Sequence, residues 1–202
     1  MAQQQPSLET IFMSSNVTSK HSHVKQRKPP GVWARLKPNV DSMSRRVVPS
    51  GRVAGEAATI AERKNPMKAN YTRIAVILDR SGSMQSVCEA TVAGFNEFVR
   101  TQQSLPGEVK LKLVQFDDRY EVVFDEPLHQ VPELTQQTFV PRGMTALLDA
   151  QGRTIVELGA ELAEQPEEER PSKVIVLTLT DGLENASKSF TRDRVAELIV
   201  HE

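Results

Sequence analysis

The chain has 202 residues, of which 39% are hydrophobic, and this suits one core-bearing domain with an additional segment. Residues 1–66 carry 11 basic and 4 acidic side chains, whereas residues 67–202 carry 14 and 22, so a formal net charge of −1 conceals two different segments. The single cysteine excludes an intramolecular disulfide, no apolar run has the length of a transmembrane helix, and the N-terminus lacks a secretory signal pattern. We therefore expect a cytoplasmic protein without a membrane partner.

Residues 1–66 are the basic part of the chain and show no sustained helical or strand periodicity, so we expect a disordered N-terminal segment. Within it, residues 25–37 (KQRKPPGVWARLK) have the composition of a nucleic-acid or membrane patch. A solvated basic tail explains the same composition, and we expect no nucleic-acid binding from the folded domain. Met67 is an alternative start, in which case residues 1–66 belong to an over-extended reading frame.

Ordered structure is predicted from residue 71 onward. Residues 73–78 (RIAVIL) are a near-continuous apolar run, which is typical of a central parallel strand. Apolar residues at helical spacing follow and predict a helix that ends at the breaker sequence 105–107 (LPG). Residues 109–116 (VKLKLVQF) and 120–124 (YEVVF) are only three residues apart and predict an antiparallel hairpin at the edge of the sheet.

The second half of the domain repeats the alternation of strand and helix. Residues 145–163 predict a helix, residues 174–179 (VIVLTL) predict a second unbroken apolar strand, and a final amphipathic helix begins near Thr191. This order indicates an α/β fold with a Rossmann-like, mostly parallel sheet, one antiparallel edge strand and helices on both faces. We assign residues 67–202 to this domain.

Side chains with oxygen atoms follow both apolar strands. Asp79, Ser81 and Ser83 come directly after the first strand, Thr145 lies at the start of a helix, and Asp181 follows the second apolar strand. Ligands collect beyond the carboxyl ends of parallel strands, and hard divalent cations prefer oxygen ligands. The residues therefore predict a metal site if the two strands are neighbours, although each part alone is also explained as a turn or a helix cap.

Together these parts, DxSxS at 79–83, GxT at 143–145 and DG at 181–182, resemble the metal-ion-dependent adhesion site of von Willebrand factor type A domains. The resemblance extends from about residue 72 to the C-terminus. It implies that Ser81, Ser83 and Thr145 bind Mg²⁺, or Mn²⁺ or Ca²⁺, directly. It also implies that Asp79 and Asp181 act directly or through water, and that a carboxylate of a partner completes the coordination sphere.

The function implied by the resemblance is a metal-dependent protein-binding module that captures an Asp or Glu side chain of a partner protein and catalyses no reaction. One alternative is a Mg²⁺-dependent phosphatase of the haloacid-dehalogenase type, whose chemistry needs a second aspartate where this chain has Ser81. Another alternative is a vestigial domain that binds neither metal nor partner.

The resemblance also predicts a difference from the family at the end of the chain. The family's sheet normally continues beyond the last helix predicted here, so this domain is expected to lack the last strands. Residues 174–179 would then form an exposed, apolar sheet edge, and we expect self-association through that edge.

Overall fold

The computed structural model describes residues 7–14 and 68–201, which form an α/β fold around one five-stranded sheet. The strands are β1 (Ser7–Ser14), β2 (Lys68–Asp79), β3 (Glu108–Phe116), β4 (Tyr120–Pro127) and β5 (Pro171–Thr180). The helices are α1 (Cys88–Gln103), α2 (Leu147–Ala163) and α3 (Arg192–His201), with short 3₁₀ turns at Gly82–Val87, Leu128–Gln130 and Glu167–Glu169. Within the described ranges, every helix is too short or too polar to cross a membrane.

The sheet has the strand order β1-β5-β2-β3-β4. Only the β3–β4 hairpin is antiparallel, and the other neighbouring strands are parallel. The predicted mostly parallel sheet with an antiparallel edge strand is therefore confirmed. The two apolar strands of the sequence, β2 and β5, are direct neighbours, with Leu78 opposite Leu179.

Helices cover both faces of the sheet, as predicted. Val76 and Leu78 of β2 belong to a core cluster with Phe95 of α1. The alternate residues Ala75 and Ile77 belong to a second cluster on the α2 side. Because successive side chains of a strand point to opposite faces, one apolar run contributes to both cores. This double burial makes β2 the centre of the domain.

The structure corrects the expectation of an exposed β5 edge. Strand β1 pairs with β5 in parallel along its whole length, from Ser7 opposite Lys173 to Ser14 opposite Thr180. The disorder expected across residues 1–66 therefore does not hold for Ser7–Ser14, and the self-association expected from an open β5 edge loses its basis. A short extended segment can pair with a neighbouring strand through its main-chain hydrogen bonds alone. Such a segment needs no long hydrophobic repeat in the sequence, so the lack of one did not exclude it. The basic stretch 25–37 and Met67 lie outside the described residues.

Candidate metal centre

The predicted site residues lie at the carboxyl ends of β2 and β5. Asp79 is the last residue of β2, and Asp181 follows Thr180, the last residue of β5. Since the two strands are parallel neighbours, their carboxyl ends lie at the same edge of the sheet. The condition on which the predicted site depended is therefore met.

The loop after β2 brings four of the five predicted residues into direct contact. The Ser81 amide donates a hydrogen bond to Asp79 Oδ1 at 2.7 Å, which turns the chain immediately after the strand. The hydroxyl oxygens of Ser81 and Ser83 are 3.0 Å apart, and the Ser83 hydroxyl donates to Asp181 Oδ1 at 2.8 Å. Side chains from two strand ends thus form one connected polar cluster.

The fifth predicted residue, Thr145, lies beside Gly182, next to two of the other site residues. A Cβ atom added to Gly182 would lie 3.0 Å from Thr145 Oγ1, 3.2 Å from Ser83 Oγ and 3.4 Å from Asp79 Oδ2. Oxygen atoms from the loop after β2 and from the loop that carries Thr145 therefore face the loop after β5 across one small space, which is open because residue 182 has no side chain. The structure brings all five predicted residues together.

Asp79 is the buried anionic centre of the cluster. Its side chain is fully buried, and this burial raises the pKa of the Asp79 carboxyl, as does the nearby Asp181 carboxylate. Hydrogen bonds from Thr180 and Ser81 act in the opposite direction but do not cancel the rise in pKa. A bound cation would offset the cost of holding this carboxylate charged.

Thr180 is a site residue that the sequence reasoning missed. Its hydroxyl donates to Asp79 Oδ2 at 2.5 Å and accepts a hydrogen bond from the Gly182 amide at 3.1 Å. It thereby joins the carboxylate at the end of β2 to the turn that follows β5. A threonine directly before the Asp181-Gly182 pair was the available signal.

The loop that carries Thr145 is fastened to the loop after β2. The Gly82 amide donates to Gly143 O at 3.2 Å, and the Arg142 amide donates to Arg80 O at 2.7 Å. Gly143 has a φ of +69°, a left-handed conformation that glycine adopts without steric cost. These contacts hold the loop that carries Thr145 against the loop that carries the two serines.

Arg80, which occupies a variable position of the DxSxS motif, supports the loop from behind. Its buried guanidinium donates through Nε to Asp117 Oδ2 at 3.1 Å, and Arg142 Nε donates to the same oxygen at 2.9 Å. Burial alone would raise the pKa of the Asp117 carboxyl, but the Arg142 hydrogen bond and the two arginine charges lower it overall. Arg80 Nη2 also lies 2.7 Å from Glu121 Oε2, as an ion contact without hydrogen-bond geometry.

The set of donors fits a hard divalent cation. Within the described residues, no group of three or more His, Cys, Asp and Glu side chains is placed to hold a metal. The cluster instead offers the hydroxyls of Ser81, Ser83 and Thr145 with the carboxylates of Asp79 and Asp181. Oxygen-only donors of this kind suit Mg²⁺, which is bound by few carboxylates and usually retains several waters.

The segment after Asp181 is tied to the start of α2 by two carboxylates. Asp149 accepts hydrogen bonds from the amides of Lys188, Ser189 and Phe190, each at 2.8 Å. Burial raises the pKa of the Asp149 carboxyl, but these three amides outweigh it, so the pKa is lowered. The pKa of Glu184 is lowered in the same way, because amide hydrogen bonds outweigh its burial.

We expect these lowered pKa values to make the domain acid-sensitive. A carboxyl whose pKa is lower in the folded state stabilises the fold above its unfolded pKa, about 3.9 for Asp and 4.3 for Glu, and loses that contribution as pH falls through the folded pKa. Between pH 5 and pH 3 the stability of Asp149→Asn should therefore fall less than that of the wild type. Urea unfolding at several pH values measures this, with Asp193→Asn, an exposed site in α3, as the control. Equal pH slopes for Asp149→Asn and the wild type would contradict the prediction.

Comparisons with known proteins place the chain in a family. A family model described as the von Willebrand factor type A domain matches residues 74–184. No curated protein matches the chain. Among solved structures, the three N-terminal domains of the type V pili tip protein Mfa5 from Porphyromonas gingivalis match with 17% identity and a TM-score of 0.41, covering 56% of this chain and 20% of that chain. The ArnB paralog VWA2 from Sulfolobus acidocaldarius matches with 21% identity and a TM-score of 0.40, covering 58% and 29%.

Proposed function

We propose that this chain, which belongs to the von Willebrand factor type A domain family, is a protein-interaction module that works through a bound divalent cation. The cation is Mg²⁺, with Mn²⁺ or Ca²⁺ as substitutes, and its ligands are Asp79, Ser81, Ser83, Thr145 and Asp181. The observation that supports this most strongly is the convergence of three loops on the space in front of Gly182.

The donor set also suggests what the cation does when it is bound. Three of the five proposed ligands are neutral hydroxyls that bind the ion directly, while the Asp79 and Asp181 carboxylates act directly or through water, so the ion keeps its electrophilic character. Mg²⁺ in such a site keeps exchangeable positions and attracts a further anionic oxygen ligand. We propose that this ligand is the carboxylate of an Asp or Glu side chain on a partner protein.

The residues beside the site support a protein partner. Met144, next to Thr145, is 55% exposed, and Leu183, next to Gly182, is 80% exposed. Large apolar side chains that are exposed beside a polar centre are common where one protein binds another. They would contact apolar surface around the captured carboxylate.

A binding role explains the site better than the phosphatase alternative. The second aspartate required for that chemistry is replaced by Ser81, whose hydroxyl lies 3.0 Å from the Ser83 hydroxyl. We therefore propose that the protein is not an enzyme. Mg²⁺-dependent hydrolysis of a phosphate monoester that is lost in Asp79→Ala would reverse this proposal.

Calorimetric titration of the full chain with Mg²⁺ and Mn²⁺ tests the proposed site. The wild type should bind one ion, and Ser81→Ala/Ser83→Ala should lose measurable binding because two of three hydroxyl ligands are removed. Ser86→Ala is the matched control, since its exposed hydroxyl donates to the Ser83 carbonyl, at 3.3 Å, and to no other group among the described residues. Wild-type protein that binds no ion would support a vestigial domain, and a double variant that binds normally would exclude the proposed ligands.

A further inference from the structure

We propose that Asn185 is a positioning residue for the cation site, holding the backbone of Thr145 so that its hydroxyl stays in place beside Gly182. This inference rests on the proposed function, because it assigns a role toward the same cation. It concerns a residue that lies outside the three recognised parts of the motif.

The contact between Asn185 and Thr145 is reciprocal. Asn185 Oδ1 accepts a hydrogen bond from the Thr145 amide at 2.8 Å, and the Asn185 amide donates to Thr145 O at 3.0 Å. Both main-chain polar groups of Thr145 are therefore held by one residue of the loop after β5. Asn185 itself is exposed, so this contact, and not burial in a core, explains its place in the structure.

Glu184 holds Asn185 in position. Glu184 Oε1 accepts hydrogen bonds from the amides of Ala186 and Ser187 at 2.9 and 2.7 Å. Its other oxygen, Oε2, accepts from the Ser187 hydroxyl at 2.7 Å and from the Leu148 amide at 2.9 Å. One carboxylate thus closes the turn that contains Asn185 and attaches that turn to α2.

The contacts with the loop after β5 also provide hydrogen-bond acceptors for backbone amides at the start of α2. The residue that precedes the helix, Ala146, has no side chain that can cap it. Two free amides of the first turn find acceptors in the loop after β5, because the Leu148 amide donates to Glu184 and the Asp149 amide donates to Ser187 Oγ at 3.0 Å. The helix start and the loop after β5 therefore hold each other.

The unit formed by the start of α2 and the loop after β5 has a proposed cation ligand near each of its ends. Thr145 lies two residues before the first residue of α2, and Asp181 lies three residues before Glu184. Mg²⁺ requires near-octahedral geometry, so a small displacement of one ligand weakens binding. Residues that orient metal ligands without touching the metal typically change affinity by about 10- to 100-fold when they are removed.

Mn²⁺ titration of the full chain, followed by electron paramagnetic resonance, measures this effect. Asn185→Ala should weaken Mn²⁺ binding by about 10- to 100-fold, because it removes the acceptor for the Thr145 amide. Asn185→Asp retains an acceptor oxygen at the same place, and its affinity for Mn²⁺ should be close to that of the wild type. Urea unfolding of each variant establishes that the protein titrated is folded.

Asn96→Ala provides the matched control. The Asn96 side chain also makes two hydrogen bonds to one backbone, donating to Leu134 O at 2.9 Å and accepting from the Leu134 amide at 2.8 Å, and it belongs to α1. This variant should lose stability without losing Mn²⁺ affinity. Equal affinity of Asn185→Ala and the wild type, or an equal loss of affinity in Asn96→Ala, would overturn the inference.

The same titration separates this inference from the proposed function. If Ser81→Ala/Ser83→Ala loses Mn²⁺ while Asn185→Ala keeps it, the cation site stands and the positioning role of Asn185 is wrong. If the wild type binds no Mn²⁺, the cation site itself is wrong, and the positioning role is excluded with it.

Discussion

Replacing Gly182 by alanine should abolish divalent-cation binding while the domain stays folded. The added methyl group would lie 3.0–3.4 Å from Thr145 Oγ1, Ser83 Oγ and Asp79 Oδ2, in the space proposed for the ion. The φ of Gly182 is outside the left-handed region, so alanine is compatible with the backbone there. Every proposed ligand remains present, and the loss of binding would therefore report competition for space. Calorimetry with Mg²⁺ measures the binding, and urea unfolding measures the stability.

Gly82→Ala is the matched control for this experiment. Gly82 lies in the same group of loops, but a Cβ atom added there meets nothing closer than Gly143 O at 3.6 Å, an ordinary contact distance. This variant should bind Mg²⁺ as the wild type does. If Gly182→Ala bound Mg²⁺ with unchanged affinity, the ion would have to lie elsewhere, and the proposed coordination would be wrong.

The largest loss of stability is expected from Asp125→Ala. Asp125 makes two hydrogen bonds with the guanidinium of Arg73, at 2.5 and 2.7 Å, and the Arg73 side chain is only 4% exposed. Removing the carboxylate leaves a buried cation that is still hydrogen-bonded to Glu161, at 3.2 Å. Breaking a buried pair costs about 3–5 kcal/mol, and we expect about 2–4 kcal/mol here because Asp125 is itself partly solvated. Urea unfolding measures the difference.

A double-mutant cycle provides the control for this prediction. Arg73→Met removes the buried cation instead of its partner, so it should cost less than Asp125→Ala. In the double variant the uncompensated charge is absent, and its free energy of unfolding should exceed that of Asp125→Ala alone. Strictly additive losses of stability would contradict the account of Arg73 as a buried charge that depends on Asp125.

The element order of residues 68–201 was predictable from sequence because its signals are local. Apolar runs marked β2 and β5, the three-residue gap marked the β3–β4 hairpin, and helical spacing marked α1 and α2. Strand β1 was not predictable in this way. Its eight residues lie in a basic segment without periodicity, and the partner that makes them a strand is 166 residues away in the chain, as Ser7 opposite Lys173 shows.

The buried cations show the same limit of sequence reasoning. The alternation of residues 109–116 suggests a strand with one polar face, yet Lys112 is only 4% exposed and pairs with Glu161 of α2 at 2.5 Å. Arg73, at the start of an apolar run, is buried as well. A cation on a strand becomes a core residue when a helix covers that face and supplies a carboxylate. Which helix covers the face is decided by the tertiary fold and not by the local sequence.

The candidate metal site was also predictable only in part. Asp79, Ser81, Ser83, Thr145 and Asp181 were identified because their chain positions place them at strand and helix ends. The residues that hold them, Thr180, Glu184 and Asn185, were not identified, since their roles depend on the conformation of a loop. That the five residues bind a metal stays a prediction.

Anomalous diffraction from crystals of the full chain saturated with Mn²⁺ tests the central claim most directly. We predict one anomalous peak in front of Gly182, about 2.0–2.6 Å from the hydroxyl oxygens of Ser81, Ser83 and Thr145, as is usual for hard divalent cations. A water or a carboxylate should occupy the outward-facing position. The absence of a peak at these hydroxyls in Mn²⁺-saturated crystals would contradict the account.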